Sequence, residues 1–393
     1  MQEDNIKKIG LYIHIPFCKS KCYYCDFVSY PDKLNMQGKY IECLKQEIEK
    51  YSKENDIMFE HGLEPKFMIK TIYIGGGTPS IINENYIENL LNTIKTKFMV
   101  EPDAEITIEV NPGTTTMQKL EKYRKAGINR VSIGLQACQE CLLREIGRIH
   151  NYKQFENTYK CARDIGFDNI NVDLMIGLPK QTLNDVKESI NKILKLKPEH
   201  ISVYSLILEE NTPLYEMVQE KQLDMISDEL ERNMYWYVKK TLEKHNYNQY
   251  EISNFSKPGF ESNHNMDCWN QKEYIGIGAA ASSFLDDKRY SNVESIENYI
   301  NNIQSGKPNS NLVFEESLNE ESKMQEYMML GLRKIQGVNI MEFEHKFNQN
   351  PIIKYCKVLD KLANEGLIVI IDNNIKLTNK GIDLANLVWE EFV

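Results

Sequence analysis

Nowhere in this chain of 393 residues is there an apolar run of the roughly 18 residues that a membrane-spanning helix requires. The amino terminus, MQEDNIKKIG, lacks the apolar core of a secretory signal, so a cytoplasmic location is expected. Positive charge is short as well: 47 Lys and Arg stand against 57 Asp and Glu, a net charge of -10, so the surface as a whole does not attract polyanions and nucleic acid is not an expected partner. A disulfide framework is missing. The nine cysteines are an odd number, and Cys43, Cys138, Cys141, Cys161, Cys268 and Cys356 are scattered, as expected for thiols or metal ligands in a reducing compartment. There is no low-complexity segment and no internal repeat beyond a βα period. What remains is an ordinary globular composition, 41% hydrophobic and 26% charged, long enough for two or three domains.

Six β-like runs alternate with amphipathic helical patterns: IGLYIHI from Ile9, TIYIG from Thr71, EITIEV from Glu105, RVSIGLQ from Arg130, NINVDLMIG from Asn169 and HISVYSLIL from His200. Between them, Leu183, Val186, Ile190, Ile193 and Leu194 share one helical face, with Thr182 and Asp185 as a capping box. Ile87, Leu90, Leu91, Ile94 and Phe98 form a similar stripe, and Gly127 is placed to end a helix through Leu120 and Tyr123. Strand-helix repetition specifies right-handed parallel units, and six units fall short of the eight that close a barrel. The fold class expected is α/β: an incomplete (β/α)6 barrel over residues 1–226, whose strand-end loops build the site. A connecting α/β region is expected over 227–319. The last part, 320–393, reads as a winged-helix-like module of three helices and a hairpin turning at Asn373 and Asn374. With nine Lys and Arg against eleven Asp and Glu, that module lacks a nucleic-acid footprint, and a packing or lid role is expected.

The chemistry concentrates at CKSKCYYC. Cys18, Cys22 and Cys25 follow the first strand with no fourth cysteine nearby. Three thiolates hold three irons of a [4Fe-4S] cluster and leave the fourth open to a ligand. The alternative is structural zinc, which needs a fourth ligand such as Cys43 or His14. One βα unit later comes GGGTPS, Gly75 to Ser80, a glycine run whose bareness lets a ligand approach and leaves N–H and C=O groups free to bind it.

These residues together resemble the radical S-adenosylmethionine (SAM) superfamily. YIHIPFCKSKCYYCDF, GGGTPS, EVNPG, RVSIGLQ, GRIH, NVDLMIGLP and YEISNF, in order and at matching separations, narrow the resemblance to the oxygen-independent coproporphyrinogen III oxidase-like family. The resemblance implies SAM at the open iron of the cluster, reductive SAM cleavage to methionine and a 5'-deoxyadenosyl radical, and a low-potential electron donor. It also implies that Tyr12 and Tyr24 flank cluster and SAM, that Gly76, Gly77 and Thr78 meet the methionine end, and that Glu109, Gln136, Arg148 and Asp173 complete the pocket. These residue types suit the task, since carboxylates accept ribose hydroxyls and a guanidinium grips a carboxylate.

Within that family the oxidases carry another cysteine two places after the third cluster cysteine; here the position is Phe27. The CDF form resembles the branch of heme chaperones, which implies heme as cargo and acceptor hemoproteins, membrane-bound respiratory enzymes among them, as partners. Decarboxylation of coproporphyrinogen III and methyl transfer to heme are the alternatives. HNMDCW, in a loop with His264, Cys268 and Trp269, resembles that branch's HNxxYW element with Cys268 in place of its tyrosine. His264 or Cys268 is expected to ligate heme iron, with Trp269 stacked on the porphyrin. Ser282, in GIGAAASSF, stands where a histidine is expected in many relatives.

Overall fold

The computed structural model describes residues 6–60, 66–307 and 309–393, with no side chains described for 54–60. The six expected strands form: β1 (Lys7–Ile15), β2 (Phe67–Gly76), β3 (Met99–Val110), β4 (Arg130–Gln136), β5 (Ile170–Ile176) and β6 (His200–Ser205). Neighbours in this series pair in parallel and in chain order. Every residue of β4 is buried, as expected for a strand covered on both faces. Crossover helices include Gln37–Glu60, Glu84–Lys97, Met117–Ala126, Tyr152–Ile165 and Leu183–Leu196. The expected end signals operate: Thr182 and Asp185 make a reciprocal capping box, and Gly127 closes its helix in the left-handed region at φ +103°. Ile87, Leu90, Leu91 and Ile94 are the buried face of their helix.

The sheet does not stop at six strands. Further strands are β7 (Asn248–Gln249), β8 (Asn254–Ser256), β9 (Tyr274–Ile277), β10 (Ser282–Leu285), β11 (Lys288–Asn292) and β12 (Leu312–Ser317). They extend both edges, giving the order β12-β11-β10-β9-β1-β2-β3-β4-β5-β6-β8-β7. β9 lies parallel to β1, whereas β8 runs antiparallel to β6. One hydrophobic core runs from Ile9 on β1 through Val203 on β6 to Ile277 on β9.

A second cluster includes Met324, Tyr327, Phe343, Leu359, Ile375 and Phe392. Helices Glu320–Gly331, Ile340–Phe347 and Cys356–Asn364 precede the hairpin of β14 (Ile368–Ile371) and β15 (Asn374–Leu377), and β13 (Val338–Asn339) pairs with β15. The turn lies one residue earlier than expected. Asp372 and Asn373, at φ +49° and +58°, occupy it, and Asn374 already pairs with Ile371. Gly337 leads into β13 at φ +71°, and a Cβ there would stand 1.9 Å from the Ile375 carbonyl oxygen. Gly337→Ala is expected to destabilise this region by roughly 2–4 kcal/mol, read as a lower urea midpoint at unchanged slope.

Candidate functional site

The loops at the C-terminal ends of the parallel strands enclose a cavity of about 480 Å³. Its walls include Cys18, Cys22, Cys25, Tyr24, Gly76, Gly77, Thr78, Glu109, Gln136, Arg148 and Asp173. The cysteine loop is pinned at several points. Thr78 N–H donates to the Phe17 carbonyl at 2.7 Å, Tyr23 N–H to the Ile146 carbonyl at 3.0 Å, and Cys18 Sγ lies 3.5 Å from Thr78 Oγ1. A Cβ on Gly77 would meet the Phe17 oxygen at 2.8 Å and Cys18 Sγ at 3.0 Å, so the close packing of these loops requires glycine.

One expectation about the glycine run fails. The N–H groups of Gly76, Gly77 and Thr78 are spent internally, on Glu109 Oε2, the Ile15 carbonyl and the Phe17 carbonyl, because this loop serves to anchor the cysteine loop. Any ligand there must use carbonyls and side chains.

Around the cavity the polar groups are linked. Asn111 donates to Thr78 Oγ1 at 2.8 Å and accepts from Arg148 Nη1 at 3.0 Å. Arg148 Nε is buried with no partner among the described residues, a donor available to an anionic ligand. Glu109 accepts from the Tyr73 hydroxyl at 2.9 Å, and Asp173 from Asn171 Nδ2 at 2.6 Å and Ser132 Oγ at 3.1 Å. Burial raises the pKa of both carboxyls, that of Glu109 to about 7. Gln136 adopts φ +67° where the register of β4 shifts, a bulge that re-aims its side chain at the strand end.

The raised Glu109 carboxyl carries a pH signature. Its folded pKa lies above the ordinary 4.5, so its contribution to stability is fully present below about pH 4.5 and is lost as pH rises through 7. Relative to Glu109→Gln, the wild type is expected to lose on the order of 3 kcal/mol between pH 4.5 and 8, read from denaturant unfolding at each pH.

Both residues expected as a fourth zinc ligand are otherwise engaged. Both ring nitrogens of His14 are engaged, by the Tyr12 hydroxyl and the Val28 carbonyl, each at 2.9 Å. The thiol of Cys43 is buried 4.0 Å from the Ile300 carbonyl oxygen. Among the described residues no three His, Cys, Asp or Glu side chains are grouped for a single ion, whose sulfur ligands would sit about 2.3 Å from it.

A second cavity, of about 450 Å³, shares Asp26 and Phe27 with the first. Tyr12, His14, His264, Cys268, Tyr274 and Ser282 line it, so Tyr12 falls here rather than beside the cysteines. HNMDCW is not a loop: Asn263–Trp269 is a short helix capped by Ser262. Its first turn is tied to the barrel by Glu105 on β3, which accepts from the backbone N–H of Asn263 and of His264, each at 3.1 Å. His264 Nδ1 lies 2.9 Å from Thr71 Oγ1 and its ring stacks on Tyr73 at 5.2 Å, while Nε2 makes no hydrogen bond among the described residues. Trp269 lines neither cavity. Arg333 lies 4.5 Å from the ring centres of both Trp269 and Trp389, so a cation covers one face of the indole that was expected to stack on a porphyrin.

Comparison with known proteins fits this geometry. Residues 12–193 match the radical SAM superfamily model and residues 318–384 the HemN C-terminal domain model. Heme chaperone HemW of Lactococcus lactis is 37% identical over 391 residues, 98% of each chain. The chain belongs to the HemW family. The HemW of Bacillus subtilis is 38% identical over 384 residues, 97% of this chain and 98% of that one. Coproporphyrinogen III oxidase (HemN) of Escherichia coli shares the fold, with a TM-score of 0.83 over 99% of this chain and 90% of that one at 22% identity. Radical SAM membership implies a [4Fe-4S] cluster and SAM, and the first cavity fits both. It offers three thiols for iron, an unpaired buried guanidinium N–H for a carboxylate, and acceptors for hydroxyls. Among the described residues no helix is long and apolar enough to cross a membrane.

Two residues of this HemW-family site escaped the sequence reading. Asn111 follows Glu109 by two positions, and the strand-end rule that selects Glu109 could have found it. Tyr73 touches both sites, bonding Glu109 and stacking on His264.

Proposed function

We propose that the chain carries a [4Fe-4S] cluster on Cys18, Cys22 and Cys25, holds SAM in the adjoining cavity, binds heme at His264 in the second cavity, and hands that heme to acceptor hemoproteins. The HemW relatives are named heme chaperones, and their likeness covers 98% and 97% of this chain. The observation that carries the heme assignment is the set of His264: buried, with one nitrogen held by Thr71 and the other unpaired in a cavity. Burial pulls the His264 pKa down to about 4, so the ring is neutral at pH 7, and the tautomer that carries its proton on Nδ1, donating to Thr71, leaves the Nε2 lone pair free for iron. Cys268 suits ligation less well, because burial pushes its thiol up to about 11 and keeps it protonated.

On this reading Tyr24, Gly76, Gly77 and Thr78 pack round SAM, Arg148 meets its carboxylate, and Glu109, Gln136 and Asp173 take its hydroxyl and amino groups. When bound, the cluster supplies one-electron chemistry from a low-potential donor. Phe27, on the wall shared by the two cavities, takes the place of the oxidases' additional cysteine and favours heme handling over decarboxylation. The test is to mix the heme-loaded chain with an apo-cytochrome and follow the Soret band. Conversion to the acceptor spectrum faster than release to a heme scavenger supports delivery. No transfer, or turnover of coproporphyrinogen III to protoporphyrinogen with SAM and reductant under anaerobic conditions, contradicts it.

A further inference from the structure

Resting on the reading that the second cavity takes heme, we infer that it admits the porphyrin by its carboxylate-free edge and discriminates against porphyrins bearing a propionate on every pyrrole. The charged side chains that line it are Asp26 and Glu294, both acidic and both exposed; no Lys or Arg among the described residues lines it. Much of the remaining wall is apolar or aromatic, with Tyr12, Phe27, Val28, Tyr274 and Ala280.

The cations on surrounding elements are already committed. Arg289 lies behind the wall, hydrogen-bonded to Tyr274 and close to Cys268, and its guanidinium is paired with Glu326 at 2.6 and 2.8 Å. Lys70 is 2.9 Å from Asp267, beside Cys268, and Lys33 is 2.7 Å from Glu297.

Heme carries both propionates on one half of its rim and only methyl and vinyl groups on the other. The second half can enter an aromatic cavity without burying a charge, and its iron then faces His264 while the propionates stay in water. A four-carboxylate porphyrin has no such half. Whichever edge enters takes a propionate into a cavity whose neighbouring cations are already paired with carboxylates, and past two further carboxylates that repel it, a burial that is disfavoured. Asp26 and Glu294 thus act as specificity determinants, and the cavity selects the finished cofactor over its tetracarboxylate precursors.

The test titrates ferric heme, heme dimethyl ester and iron coproporphyrin III into the full chain and into its His264→Ala and Asp26→Asn/Glu294→Gln variants, following the Soret band. Heme and its dimethyl ester are expected to bind within about threefold of each other, iron coproporphyrin III roughly tenfold or more weaker, and the neutralised variant to narrow that gap. Iron coproporphyrin III binding as tightly as heme, with the shift still dependent on His264, overturns the inference and leaves the heme site standing. A loss of roughly tenfold for the dimethyl ester overturns it in the same way, since it means that the protein grips the propionates. A heme shift indifferent to His264 overturns the heme reading and the inference together.

Discussion

Cys22→Ala is expected to abolish the iron-sulfur centre. After anaerobic reconstitution the wild type should hold about four irons per chain with broad visible absorbance, and the variant close to none. The effect is large because three thiolates leave no redundancy: two irons cannot anchor a cube that already has one open corner. The lost ligand, not a collapsed loop, is the cause. The loop is held by backbone bonds from Cys18 to Tyr30, Tyr23 to Ile146 and Thr78 to Phe17, none of which uses the Cys22 side chain. Cys141, an exposed cysteine remote from the motif in sequence, supplies the control, and Cys141→Ala should keep its iron. Retention of iron by Cys22→Ala, or stoichiometric zinc in the wild type, would remove the basis for the cluster assignment.

The second large effect concerns heme. His264→Ala is expected to weaken heme binding on the order of a hundredfold, while Cys268→Ala changes it by less than about threefold. Thr71→Val, which removes the group that fixes Nδ1, should fall between, at roughly tenfold. Added imidazole should restore the Soret band of His264→Ala, because the cavity vacated by the ring is bordered by Tyr73 and Thr71, which remain. Rescue distinguishes a missing ligand from a disturbed helix. The first turn of that helix is anchored through backbone N–H groups to Glu105 and does not depend on the imidazole.

The parallel strands were legible because burial on both faces leaves near-continuous apolar runs, and the caps at Thr182 and Gly127 act locally. The edge strands were not. β7 spans two residues and β8 three, and β9 finds its partner β1 more than 250 positions away, so no local period announces the pairing. The Gly276 to Phe284 segment was not among the expected strands, yet it contributes to β9 and β10 of the sheet. Of the polar residues expected at the site, Glu109 on β3 and Asp173 on β5 reach the cavity from strands, and Arg148 from the segment after the helix Glu140–Glu145. Three-dimensional partners decided the rest. The N–H groups of Gly76, Gly77 and Thr78 are consumed by Glu109 on β3 and by β1 and its loop, the HNMDCW helix is held by Glu105 from β3, and Trp269 faces Arg333, and none of these follows from spacing.

Electron-nuclear double resonance on the ferric heme-loaded chain with ¹⁵N-labelled histidine tests the heme site most directly. The expected result is a strong coupling from one axial histidine nitrogen, present in the wild type and in Cys268→Ala and absent from His264→Ala. The same coupling persisting in His264→Ala, or a thiolate-ligated spectrum lost in Cys268→Ala, would contradict the assignment.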